Sequence, residues 1–196
     1  MNRVASIVEG DGEVLAFPIL LRRICEWLTP EKQIQILRPI RVHRDRFLRR
    51  NDEFHRHLML AAKQCQDQGR IIVLLDADDD CPVQLASNIL ERAEKIIPHR
   101  HISVILANRE YEAWLIAGAI SLHGQRGFTL DHETGVEVDA ENLRNAKGWI
   151  KAHMASNSYG ETTDQPAFSA QVDLQEVFNR SRSFRKLCSE WESHSL

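Results

Sequence analysis

The sequence predicts an α/β fold, a mainly parallel sheet of about four strands with helices on both faces and a helical cap at the C-terminal end. Three observations carry this. Short β-branched runs alternate with stretches whose apolar residues recur at helical spacing, the pattern of a parallel sheet crossed by helices. One run, Ile71–Leu75 (IIVLL), is continuously apolar, as suits a central strand covered on both sides. The last third has no such run and reads as short helices.

Taken in order, Val4–Val8 is the first strand and ends at Glu9-Gly10. From Val14 to Leu28 the apolar residues Leu15, Ile19, Leu20, Ile24, Trp27 and Leu28 mark a helix, which Thr29-Pro30 stops. Ile34–Ile40 alternates apolar and polar, like a strand with one covered face. Asp52 to Gln68 is helical again, and Gly69 closes it. After Ile71–Leu75, Pro82 starts a helix that Pro98 ends. Ile102–Leu106 is the fourth strand, and Asn108 can cap a helix from Arg109 to about Leu122. The crossovers should be right-handed. Gly124 to Val138 reads as a polar turn or hairpin, and Asp139–Ser156, Gln165–Leu174 and Gln175–Trp191 read as helices. Residues 1–125 are thus expected to form the α/β core, and residues 126–196 a mostly helical extension packed on it.

With 196 residues, 43% hydrophobic and 27% charged, the chain excludes disordered and fibrous classes. Its longest uncharged apolar stretch, Ala113 to Ile120, is far too short to span a bilayer. No signal peptide is legible, and the four cysteines are scattered without a CxxC, so a cytoplasmic protein is expected. Net charge is only −3 but unevenly spread. The Arg38–Arg50 run, RPIRVHRDRFLRR, is arginine-rich, whereas Asp76–Asp80 reads DADDD. One segment suits phosphates and the other a metal, unless both are simply solvated surface.

Ligands of open parallel sheets bind at the C-terminal strand ends. The first strand ends in Glu9-Gly10-Asp11-Gly12-Glu13. The third ends in Asp76-Ala77-Asp78-Asp79-Asp80, and the fourth runs into Asn108-Arg109-Glu110-Tyr111-Glu112. Asp76 and Asp78, two apart on extended chain, should point the same way. Glu13, in the first helical turn, can face back toward Glu9. Clustered carboxylates need a cation, and their hard oxygens suit Mg²⁺, Mn²⁺ or Ca²⁺ rather than zinc. Other motifs fail: Gly10-Asp11-Gly12 lacks the third glycine of a dinucleotide loop, and no P-loop lysine follows. A calcium loop from Asp76 would need glycine and glutamate where Cys81 and Ser87 stand.

The E-G-x-x-E turn and the strand ending in D-x-D resemble the Toprim fold of topoisomerases, primases and the overcoming-lysogenization-defect nucleases. Three further stretches, Arg109–Ala117 (REYEAWLIA), Tyr159–Gln165 (Y-x-x-x-x-D-Q) and Ser181–Leu187 (SRSFRKL), are similar to the stand-alone Toprim-like family DUF4276. The resemblance implies a Mg²⁺ or Mn²⁺ site. Glu9 would be the acid/base or metal-binding glutamate, Glu13 the second glutamate of the nuclease-type Toprims, and Asp76 and Asp78 metal ligands. Asp80, Glu110 and Glu112 are added as candidate ligands, and Arg38, Arg41, Arg109, Lys147 and Arg185 as candidate phosphate contacts. Tyr159, Asp164 and Gln165 would line the same cleft. The family is often encoded beside ATPases in prophage or defence loci. The expected function is a divalent-metal-dependent nuclease on DNA or RNA with an ATPase partner and no membrane attachment. The alternatives are a non-catalytic binding module of an ATPase and a phosphatase of small molecules.

Overall fold

The computed structural model describes residues 2–66 and 69–193. Its sheet holds five strands, all parallel: β1 (Asn2–Val8), β2 (Ile34–Ile36), β3 (Ile40–Arg41), β4 (Arg70–Asp76) and β5 (His101–Ala107). The order is β2-β1-β4-β5, and β3 also pairs with β1. The expected single strand Ile34–Ile40 is therefore two short ones on the same edge of β1. Pro39, which has no N–H to give the ladder, lies in the break.

Alternation along the strands splits the core in two. Ile72 and Leu74 of β4 face α1 (Asp11–Leu28), α5 (Glu112–Ala117) and the C-terminal helices. Ile71, Val73 and Leu75 face α2 (Arg44–Arg49), α3 (Asn51–Cys65) and α4 (Pro82–Ile96). Helices thus cover both faces, which is why β4 can be apolar throughout.

Part of the arginine-rich run, to which no element was assigned, is helical, as α2. Two local readings are corrected. Asn108 caps nothing: Arg109 takes a positive φ of 65°, and α5 begins only at Glu112. Gly124 to Val138 holds a 3-10 turn and the short helix α6 (His132–Glu137), capped by Asp131, rather than a hairpin. The expected helix end at Gln68 lies outside the described residues.

Beyond α6 the helices are shorter than the periodicity implied. They are α7 (Ala146–Ala152), α8 (Asp164–Ser169), α9 (Leu174–Arg180) and α10 (Arg182–Ser193). Side chains set several of these starts: Asn145 accepts from Gly148 N–H, Asp173 from Glu176 N–H, and Ser181 Oγ from Phe184 N–H. Phe168, Phe184 and Trp191 join Val8 and Leu74 in one buried cluster, so residues from both expected segments share a core. Trp191 is fixed by a hydrogen bond to Thr29 Oγ1 and by the Arg70 guanidinium 4.1 Å above its ring. Among the described residues no helix is long and apolar enough to cross a membrane.

Candidate functional site

The C-terminal ends of β1, β4 and β5 bring four carboxylates together. Glu9 follows β1 and is half-buried. Gly10 then turns the chain, and a Cβ there would collide with Glu13 Oε2, so the glycine lets Glu13 fold back over the turn. Asp76 is the last residue of β4, and its Oδ1 accepts Tyr111 N–H at 2.9 Å. Glu112, one residue further on, is fully buried.

The extension closes this group from above. Gln165, fully buried in α8, donates through Nε2 to Glu13 Oε1 at 3.3 Å and to Glu112 Oε1 at 3.1 Å. Tyr159 OH donates to the same Glu112 oxygen at 3.1 Å. Lys147, in the first turn of α7, pairs with Glu161 at 3.2 Å and places its charge near Glu112 and Asp76. Asp164 does not enter the cluster. It accepts Gly160 N–H and pairs with Arg126, stapling the turn that carries Tyr159 and Gln165 into place.

Burial makes Glu9, Asp76 and Glu112 reluctant to ionise. It pushes Glu112 up to about 7, with Lys147 opposing and Glu13 reinforcing. Asp76 stands well above the usual carboxylate range, first from burial and then from Glu13, Glu112 and Glu9. Glu9 is raised by burial against the pull of Arg44. Buried Glu9 Oε2, Glu13 Oε2, Glu112 Oε2 and Gln165 Oε1 all lack a hydrogen-bond partner among the described residues. Such acceptors are costly unless a proton, water or cation meets them. An oxygen-only donor set fits a hard divalent cation. However, among the described residues no three or more acids, histidines or cysteines stand as a ready-made ligand set, so the side chains must adjust to hold one.

The neighbouring loop differs from expectation. The strand ends at Asp76, and Asp78 adopts a positive φ of 50° in a turn, so the two do not share an extended-chain direction. Asp78, Asp79 and Asp80 are exposed and face arginines. Arg44 Nη2 donates to Asp80 at 2.5 Å, and Arg44 Nε lies 3.7 Å from Asp78. Arg109 and Arg144 both reach Asp79, at 2.8 and 3.2 Å. The Arg109 hydrogen bond and the Arg144 charge hold the Asp79 carboxyl below its ordinary range.

Other expected residues lie elsewhere or stand apart. Glu110 Oε1 accepts Ala146 N–H at 3.1 Å, which ties it to the start of α7. Arg185 donates to the carbonyls of Phe178 and Asn179 at the end of α9, and no contact among the described residues links it to the carboxylates. The serines of the SRSFRKL stretch bind Glu141 and cap α10. Arg41 pairs with Asp11 at 3.1 Å beside the start of α1, and Arg38 is exposed. Sequence reasoning did not single out Arg144 or Glu161, and it took Arg44 together with Arg41 and Arg46, as phosphate contacts of the arginine-rich run. The spacing holds no signal for the pairing of Arg44 with Asp80, which joins distant segments.

The model of a family described as a domain of unknown function, DUF4276, matches residues 8–192. No curated protein and no solved structure matches the chain.

Proposed function

The chain belongs to the DUF4276 family, and from its carboxylate edge we propose that it is a Toprim-like, divalent-metal-dependent phosphodiester hydrolase, a nuclease acting on DNA or RNA. One observation carries this reading. Glu9, Glu13 and Glu112 each keep a buried, unpaired oxygen at the sheet edge where parallel folds take their ligands. Buried carboxylate oxygens are ordinarily hydrogen-bonded, so three unpaired ones at one edge call for a cation or water to meet them.

Glu9, Glu13, Glu112 and Asp76 would hold Mg²⁺ or Mn²⁺. When bound, the cation supplies polarisation of a phosphate and a more acidic water. The chain's own groups do the rest. Gln165 and Tyr159 orient Glu13 and Glu112 by fixing one oxygen of each or both, leaving Oε2 available. Lys147 offsets the negative charge that the cluster accumulates when its acids ionise. Glu9 is half-buried at the mouth, and burial raises its proton affinity, so it must lose that proton before its Oε2 can meet the cation. Arg38, Arg41, Arg109 and Arg144 would meet the nucleic-acid backbone without reading bases. A cytoplasmic setting, an ATPase partner and a prophage or defence context follow from the family resemblance and belong to the same proposal.

The test is incubation of the protein with plasmid and single-stranded substrates plus Mg²⁺ or Mn²⁺, with Asp76→Asn as the control. Cleavage that needs the cation and disappears in the variant is expected. A second reading, which the family resemblance also allows, is a non-catalytic binding module of an ATPase. Binding of nucleic acid without divalent-dependent cleavage would select it.

A further inference from the structure

Arg44 has a different setting from the other arginines of its run. It leaves α2 and lies across the end of β4, where Nε donates to Asp76 O at 3.1 Å and Nη2 to Asp80 Oδ2 at 2.5 Å. Asp78 Oδ2 is 3.7 Å from Nε. The Arg44 side chain is 14% exposed, against 59% for Asp78 and 56% for Asp80. Arg41, in its exposed pair with Asp11, keeps 45%. Exposed pairs hold a side chain loosely, whereas an arginine seated on a backbone carbonyl and a carboxylate is oriented. Two of its three nitrogens are engaged, and Nη1 has no partner among the described residues.

This arrangement bears on the Asp-x-Asp pair. A divalent cation on Asp78 and Asp80 would have to displace the guanidinium or sit beside it, and like charges at that range repel. An anion is repelled by Asp78, Asp80 and Glu9 as well, and gains only by hydrogen-bonding directly to the guanidinium. The guanidinium is already desolvated on one side, fixed in direction, and retains donors that match the oxygens of a phosphate. We propose that Arg44 grips a phosphate of the substrate backbone at the mouth of the carboxylate cluster. Asp78 and Asp80 then serve to aim the guanidinium rather than to bind metal. The assignment rests on the reading of this edge as a phosphodiester site and names the residue that engages the substrate there.

The experiment measures binding of fluorescent duplex and single-stranded oligonucleotides in EDTA, as a function of salt, for the whole chain. Arg44→Gln should weaken binding about tenfold and reduce the salt slope by about one unit for a single lost phosphate contact. Arg44→Lys keeps the charge and loses the fork, so it should recover the slope but only part of the affinity. Lys95→Gln removes a charge at the far end of α4 and should change neither. Parent-like affinity and slope in Arg44→Gln would overturn the proposal, as would a parent that binds none of the oligonucleotides. Failure of Arg44→Lys to recover the slope, with a lowered melting temperature, would assign Arg44 a structural role instead. A parent that binds through Arg44 yet never cleaves would refute the hydrolase reading and leave the phosphate grip standing. A parent that cleaves while Arg44→Gln binds and cleaves normally would do the reverse.

Discussion

Gly12 leaves open the space that the Gln165 carboxamide fills. A Cβ on Gly12 would collide with Gln165 Oε1 and stand 2.9 Å from Glu161 O. From that seat the Gln165 nitrogen reaches Glu13 and Glu112 together. Both carboxylates accept from the amide nitrogen, and its oxygen is turned to Gly12. A residue of the first helical turn thereby sets the side-chain direction of one in α8.

Gly12→Ala tests this contact. In an exposed helix the change would stabilise by about 1 kcal/mol. Here the added methyl meets a buried carboxamide and a backbone carbonyl, and a cost of about 1–3 kcal/mol is expected instead. Chemical denaturation measures it, and a variant more stable than the parent would refute the tight fit.

Asp76→Asn and Glu9→Gln should each abolish divalent-dependent cleavage while leaving the fold intact. Both remove a charge from a group of like charges, and asparagine keeps the oxygen that accepts Tyr111 N–H. In EDTA the melting temperature should therefore match or exceed the parent's. The rise in melting temperature that Mg²⁺ or Mn²⁺ gives the parent by binding the folded state should shrink or vanish. Parent-like cleavage by either variant would remove that residue from the site.

Glu141 supplies the pH dependence. Burial raises its proton affinity, but Ser181 Oγ at 2.6 Å, Ser183 N–H at 2.9 Å and Ser183 Oγ at 2.7 Å outweigh that and hold the carboxyl below its ordinary value. The unfolded chain then binds this proton more readily than the folded one, so stability rises with pH through the window between the two values. The contribution is complete above the unfolded carboxylate range, near 4.5, and is lost as pH falls through the lower folded value. Glu141→Gln should cost about 1–3 kcal/mol at pH 7, and the gap to the parent should close in acid. Melting curves from pH 7 to 3 decide it, and a constant gap would refute the assignment.

Arg185→Ala should lower stability by about 1 kcal/mol, because its guanidinium satisfies the carbonyls of Phe178 and Asn179 at the end of α9. Cleavage by the folded variant should be unchanged. A large loss of activity at an unaltered melting temperature would return Arg185 to the substrate site.

The parallel sheet and the acidic strand ends were legible in the sequence because both are local. Ile71–Leu75 declares a strand covered on both faces by its own composition, and Glu9, Asp76 and Glu112 follow their strands closely enough for the topology to gather them. The extra strand β3 was hidden by one alternating run, since the pattern continues through Pro39 although the ladder does not. The Asp76–Asp78 pairing failed for a related reason: extended geometry was assumed as far as Asp78, beyond the strand end at Asp76.

What the sequence by itself determined was which residue types arrive at which end of the sheet, since periodicity of two or of 3.6 residues depends only on neighbours along the chain. Tertiary structure alone decided their partners. Glu110 and Glu112 are separated by one residue, yet one is tied to the start of α7 and the other is buried beside Asp76, after a turn that begins with the positive φ of Arg109. Gln165, Tyr159 and Lys147 reach the carboxylates from the extension, and Arg44 crosses from α2 to the end of β4. Each contact joins segments far apart in the chain and forms only after the helices have packed on the sheet, so no local pattern encodes it.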